Sequence, residues 1–136
     1  MIEIKMDTKF DIQQIQNLYN EAGWLSDQEM LDITLVEEII RRSWIFAAAY
    51  EGQTVLGMAR AISDGISDAY IQDVYVAASR RGAGIGQLLI RTVVDTLISR
   101  GVQWIGLIGK PGTQKFYHQL GFKELLQHCP MIYDPT

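Results

Sequence analysis

Three glycines stand at alternate positions, Gly82, Gly84 and Gly86, behind a basic pair, Arg80 and Arg81. They interrupt a run that begins rich in Tyr, Ile and Val at residues 70–76 and continues as an apolar-periodic stretch after Gly86. Strand, glycine-rich turn, helix is a device for holding a phosphate. Glycine permits φ > 0 and close approach of an anion to the main chain. The free N–H groups of a helix's first turn then point at that anion. The spacing selects among phosphate loops. G-x-G-x-x-G fails, because its third glycine would fall at Gln87 or Leu89. G-x-x-x-x-G-K-[ST] fails at Gly109–Lys110, where Pro111 follows and Trp104 precedes. The pattern [QR]-x-x-G-x-[GA] fits at Arg81, Gly84 and Gly86. An ionisable candidate, Asp73, lies inside the apolar run, where an unpartnered carboxylate is costly; it is either functional or paired.

The elements that must position these groups follow from periodicity. Residues 2–6 alternate as a strand. Thr8 is placed to cap a helix carrying Ile12, Ile15, Leu18 and Tyr19, closed by Gly23. Ser26 and Glu29 form a capping box for a second helix with Leu31, Leu35 and Ile39 on one ridge. Residues 44–50 read as a strand without alternation, covered on both faces. Strands over 54–62 and from about 66 or 69 to 76 follow. After the glycines, Gln87, Arg91, Asp95 and Ser99 form one polar ridge on a helix that lies on a sheet. Residues 102–108 predict a strand, 113–120 a short helix, and 122–126 and 131–133 edge strands. Mixed β and α order predicts an α/β fold: a mixed, mostly antiparallel sheet with helices on both faces, in one domain over residues 1–136.

Composition narrows the function classes. The chain has 136 residues, is 48% hydrophobic and carries a formal charge of −4. It has no basic run of the kind nucleic-acid binders carry, so no nucleic-acid partner is expected. The acidity favours a cationic substrate. The longest apolar run, residues 44–50, is far short of the ~20 residues that span a bilayer, so no membrane partner is expected. The first residues lack a leader pattern, which makes the cytoplasm the default location. Two histidines and one cysteine give no metal spacing. Cys129 reads as a small buried residue, and His118 as a surface histidine.

The Arg81-Gly84-Gly86 pattern, the D-V-Y-V strand before it and F-Y-x-x-x-G-F at residues 116–122 together resemble the GNAT superfamily of N-acetyltransferases. The resemblance covers nearly the whole chain and implies a sheet with a splayed central strand pair. It implies acetyl-CoA as cosubstrate, no metal, and direct attack of a primary amine. The acceptor is a small-molecule amine or a protein amine, and homodimers occur among such proteins. By motif position, the main chain of Val74, Tyr75 and Val76 pairs with the pantetheine. The N–H groups of Arg81, Gly82, Ala83, Gly84, Ile85 and Gly86 hold the pyrophosphate. Tyr117 corresponds to a general acid for the CoA thiolate. Asp73 is the nominee for assisting deprotonation, with Tyr70 and Gln72 near positions where some relatives place a base.

Two departures from the family pattern matter. The usual proline two residues after Val76 is Ala78, and Lys110 replaces an asparagine that often contacts pantetheine. Trp24, Trp44, Asp27 and Glu29 are expected to line the acceptor pocket. The alternative to an enzyme is a non-catalytic acyl-CoA-binding or regulatory module on the same fold.

Overall fold

The structure, a computed structural model, describes residues 1–6 and 9–136. Among the described residues five strands lie in sequential order: β1 (Ile2–Met6), β2 (Ile45–Glu51), β3 (Thr54–Ser63), β4 (Asp68–Val76) and β5 (Trp104–Gly106). The first three junctions are antiparallel, and β4–β5 is parallel. Helices α1 (Ile12–Ala22) and α2 (Ile33–Arg42) cover one face, and α3 (Ile85–Ser99) and α4 (Gln114–Gln119) the other.

The unalternating β2 is buried on both sides. Ile45, Ala47 and Ala49 join the α3 core, while Phe46, Ala48 and Tyr50 join the α1–α2 core. Three consecutive alanines let both helical layers approach the sheet closely. The α3 layer is built on Ile85, Leu89, Ile90, Val93 and Leu97, all at most 1% exposed. The polar ridge faces outward as expected, although Leu88 and Ile98 are exposed beside it.

The sheet has one break that matters for function. Met58 pairs with Tyr75 and Arg60 with Gln72, so Ala59 alone opposes Asp73 and Val74. This two-against-one bulge bends the strand and re-aims its side chains. Asp73 takes φ 54° to make it. Across the bulge the buried parity flips: Ala69 and Ile71 before it, and Val74 and Val76 after it, all face the α3 core.

Several expectations are corrected. Thr8 lies outside the described residues, and Asp11 caps α1 by accepting from the Gln14 N–H at 3.2 Å. The Ser26–Glu29 box exists, with bonds of 2.8 and 3.2 Å, but it opens a 3₁₀ turn at Glu29–Leu31. Asp32 then caps α2, which leaves Leu31 off the helix and 89% exposed. The strand expected over 102–108 shrinks to β5, because the bulge carries β4 away from it. Residues 122–126 and 131–133 form no strand: alternation alone supplies no ladder partner for their backbone groups. There Leu125, Leu126, Met131, Ile132 and Tyr133 are exposed, and so is Cys129, which is no core residue.

Candidate active site

Parallel pairing of β4 with β5 runs only from Asp68↔Trp104 to Tyr70↔Gly106. Beyond that the strands diverge, leaving a cleft of about 230 Å³ lined by Tyr70, Ile71, Gln72, Asp73, Leu107 and Ile108. Among the described residues, the β4 edge over Val74, Tyr75 and Val76 therefore faces no partner strand. On its other edge Tyr75 and Val76 pair with Met58 and Gly57. An extended, amide-bearing chain can add to such an edge as a strand does.

At the C-terminal end of β4 the chain makes a 3₁₀ turn, Ala78–Arg80, and enters the glycine loop. Gly82 and Gly84 have φ 84° and 80°, left-handed values that side-chain-bearing residues adopt at a cost. A Cβ at either position would meet nothing within 4 Å, so conformation and not crowding calls for glycine there. Gly84 is the N-cap of α3 and supplies no side-chain cap, whereas Asp11 and Asp32 cap α1 and α2. The N–H groups of the first turn of α3, beginning at Ile85, stay available to an anion, and the helix dipole adds to the attraction. Ala83 and Arg81 are exposed at the same loop, while the Ile85 side chain anchors it in the core. Gly86 has a different role: a Cβ there would come within 3.2 Å of the Phe116 ring, so it lets α4 pack on α3.

The two arginines differ. Arg80 donates two hydrogen bonds to the Glu51 carboxylate, at 2.8 and 3.2 Å. The Arg81 Nε donates to the Val76 carbonyl at 3.2 Å, and its guanidinium stands 5.1 Å from the Tyr75 ring centre. Glu21, from the last turn of α1, accepts from the Ala78 N–H at 3.1 Å. The Tyr75 hydroxyl and that N–H hold the Glu21 carboxyl below the usual carboxylate range. Alanine in place of proline supplies the N–H that ties α1 to the mouth of the loop.

Asp73 is paired. Its Oδ2 accepts from Arg60 Nε at 2.6 Å and from the Tyr19 hydroxyl at 2.8 Å. The Arg60 and Asp73 side chains are 16% and 22% exposed. Burial, with the Asp73 charge second, pushes the Tyr19 phenol up, so it stays a neutral donor. Sequence reasoning missed Arg60 and Tyr19. The available signal was a single arginine inside the apolar β3, one strand away from a single aspartate inside the apolar part of β4.

Tyr117 sits on the other side of the sheet. Its ring packs edge-on against Phe116 and Phe122, at 5.0 and 5.8 Å, and beside Gly109. Burial pushes its phenol up. The two catalytic nominees thus do not meet: Asp73 bonds into the α1 side and Tyr117 packs on the α3 side. Of the expected acceptor-pocket residues, Trp24 lies on the α1 side, edge-on to Tyr19 and Tyr75, with the Lys110 ammonium 5.8 Å from its ring. Trp44 does not join it, since it packs on the α3 core beside Gly65 and Arg100. Glu29 is spent in its capping box, and Asp64 makes a turn by accepting from the Ile66 N–H. His118 is exposed and paired with Glu124. Among the described residues no group of His, Cys, Asp and Glu could hold a metal, and no helix is long and apolar enough to cross a membrane.

Residues 10–122 match the acetyltransferase (GNAT) family. The chain is 29% identical to the histone acetyltransferase TAP1 of Glycine max over 83% of its length and 52% of that protein's. It is also 29% identical to serotonin N-acetyltransferase 2, chloroplastic, of Oryza sativa subsp. japonica, over 87% of this chain and 59% of that one. It thus spans little more than half of these curated relatives. A GNAT family acetyltransferase from Streptococcus pneumoniae superposes with a TM-score of 0.83 at 25% identity, covering 98% of each chain. With its sequence match spanning loop, bulge and cleft alike, the chain belongs to the acetyltransferase (GNAT) family.

Proposed function

We propose that the chain transfers an acetyl group from acetyl-CoA to a primary amine by direct attack. The observation that carries this reading is the loop at Gly82–Gly84: two left-handed glycines and an uncapped α3 at the end of a strand edge without a partner. The loop fits a pyrophosphate, and the Val74–Val76 edge fits the amides of a pantetheine arm. The thioester supplies an acyl carbon open to a nucleophile. As the amine nitrogen forms its bond to that carbon, the C–S bond breaks. The ammonium first loses one proton to solvent and so attacks as the neutral amine. The nitrogen then gives a second proton to water, the sulfur takes one from the Tyr117 hydroxyl, and the Tyr117 oxygen regains one from solvent.

Tyr117 suits that step because its raised phenol remains protonated through neutral pH. Asp73 acts differently from the sequence expectation. Its carboxylate is held by Arg60 and Tyr19, so it positions the bulge and thereby the strand edge. That engagement is also the observation favouring the second reading, a non-catalytic acyl-CoA-binding module. The names of the relatives, one for a histone and one for serotonin, differ in acceptor class and select neither.

The test is the stoichiometry of products. Protein, acetyl-CoA and a panel of primary amines should yield one acetylated amine per CoA released. Tight CoA binding with no acetylated amine from any member would establish the binding module instead.

A further inference from the structure

Lys110 has its backbone and its ammonium on different sides of the cleft. Leu107 and Ile108, just before it, line the cleft wall. A Cβ built at Gly109 would stand 3.4 Å from the Tyr117 ring, so the main chain entering Lys110 lies against that phenol on the α3 side. The Lys110 ammonium, by contrast, stands 5.8 Å from the centre of the Trp24 ring, which packs on the α1 side. Trp24 in turn meets the Tyr75 ring at 5.7 Å, beside the open edge of β4. The lysine stem therefore crosses the mouth of the gap between the diverging strands, where the pantetheine arm would run. Lys110 is exposed, and among the described residues no carboxylate lies within ion-pair range of its ammonium. Its hold on Trp24 is a cation–π contact near the outer limit of ~6 Å, a weak tether at an exposed site.

The geometry points to a modification site: Lys110 accepts an acetyl group from acetyl-CoA bound to its own chain. The inference rests on the acetyltransferase reading and adds an acceptor within the protein. The Lys110 Cα is ~3.8 Å from that of Gly109, and a four-carbon stem carries its nitrogen about 6 Å further. Rotation of the stem alone thus swings the nitrogen from Trp24 toward the Tyr117 hydroxyl, where the thioester sulfur must sit. An amine tethered this way acts at an effective concentration on the order of millimolar or more, ahead of dilute free amines. Other lysines lack this placement. Lys5 is held over the Tyr50 ring on β1, at the far edge of the sheet. Lys115 precedes Tyr117 by two residues on α4, which turns it to nearly the opposite side of that helix. The step balances as for any primary amine. The Lys110 ammonium loses one proton to solvent, C–N forms as C–S breaks, and the nitrogen gives a second proton to water. The sulfur takes the Tyr117 proton, which solvent restores. The products are N-acetyl-lysine and CoA thiol.

Peptide mass spectrometry tests this on protein first cleared of acetyl-lysine by a deacetylase, then incubated with saturating, isotopically heavy acetyl-CoA and no added amine. Lys110 should gain label at least about tenfold faster than Lys5, Lys9, Lys115 and Lys123. Its rate constant should hold when the protein is diluted, since donor and acceptor share one chain. Tyr117→Phe should slow Lys110 labelling at least about tenfold and leave the other lysines unchanged, which separates catalysed transfer from chemical acetylation by the thioester. Lys110→Arg keeps a charge for Trp24 and removes the accepting amine, so the burst of CoA equimolar with protein should vanish. Labelling of Lys110 no faster than of the other lysines, a rate constant that falls on dilution, or undiminished labelling in Tyr117→Phe overturns the inference. An unlabelled Lys110 in protein that acetylates added amines overturns it and leaves the acetyltransferase reading intact. A labelled Lys110 with every added amine untouched supports it and overturns transfer to external amines instead. No label on Lys110 and no acetylated amine overturn both.

Discussion

Replacing Asp73 with Asn removes one charge and keeps a side chain that tolerates left-handed backbone, so the φ of 54° survives. The lost interaction is the Arg60 ion pair at 2.6 Å, joined by the Tyr19 hydroxyl. Breaking a fully buried pair costs about 3–5 kcal/mol, and an exposed one contributes about 0–1 kcal/mol. With side chains 16% and 22% exposed, an intermediate cost of about 2 kcal/mol follows. For a domain of this size that lowers Tm by about 6–10 °C. Asp73→Ala should fall further, by the added ~1–2 kcal/mol of left-handed backbone strain. Thermal melts followed by circular dichroism measure both, and steady-state kinetics on the same preparations complete the assay. A positioning role expects the acid limb of the pH–rate profile to stay where it is. A variant Asp73→Asn that melts like wild type but loses a hundredfold or more in turnover, with that limb displaced, would show that Asp73 is the base and refute the reasoning.

Other substitutions separate the remaining roles. Gly84→Asn keeps a residue that accepts φ 80° while placing a side chain toward the anion position; CoA affinity by calorimetry should weaken at least tenfold, roughly 1.4 kcal/mol, and unchanged affinity would remove the loop from the site. Tyr117→Phe keeps the packing with Phe116 and Phe122 and should lower turnover by ~10²–10⁴-fold, with acetyl-CoA affinity within a few fold; a loss under threefold, with chemistry rate-limiting, would assign the proton to water. Because burial raises the Tyr117 phenol above its ordinary value of 10.0, its neutral form persists as pH rises through 10. Both its donor role and its contribution to stability should therefore fade only above that value, and an alkaline limb near pH 8 that disappears in Tyr117→Phe would contradict it. Glu21→Gln should loosen the mouth of the glycine loop, seen as faster hydrogen exchange at the Ala78 N–H; unchanged exchange there would leave the α1 tether without effect.

Much of this arrangement is legible from residue order. Glycines at 82, 84 and 86 after a β-rich run placed the loop, and periodicity placed α1, α3 and the doubly covered β2. The bulge also has a local signature, since the buried parity passes from Ala69 and Ile71 to Val74 and Val76 across Asp73. What is not legible depends on pairing in three dimensions. Nothing local says that Asp73 reaches Arg60 and Tyr19, thirteen and fifty-four positions away. The capping box at Ser26 is a true local signal, yet it closes on a 3₁₀ turn because Asp32 offers a second cap. The apolar residues beyond Phe122 alternate like a strand and find no ladder partner among the described residues. The Trp104 ring over Gly106 requires a rotamer, which one-dimensional order does not encode.

The most direct measurement is a titration of isotope-labelled protein with acetyl-CoA, followed through its backbone amide resonances. A pyrophosphate held by main-chain N–H groups should shift Arg81, Gly82, Ala83, Gly84, Ile85 and Gly86 most. Pantetheine on the open strand edge should shift Val74, Tyr75 and Val76, while the amides of β1 and β2 stay in place. A saturating titration that leaves the 81–86 amides unmoved, or moves a different surface, would contradict the site.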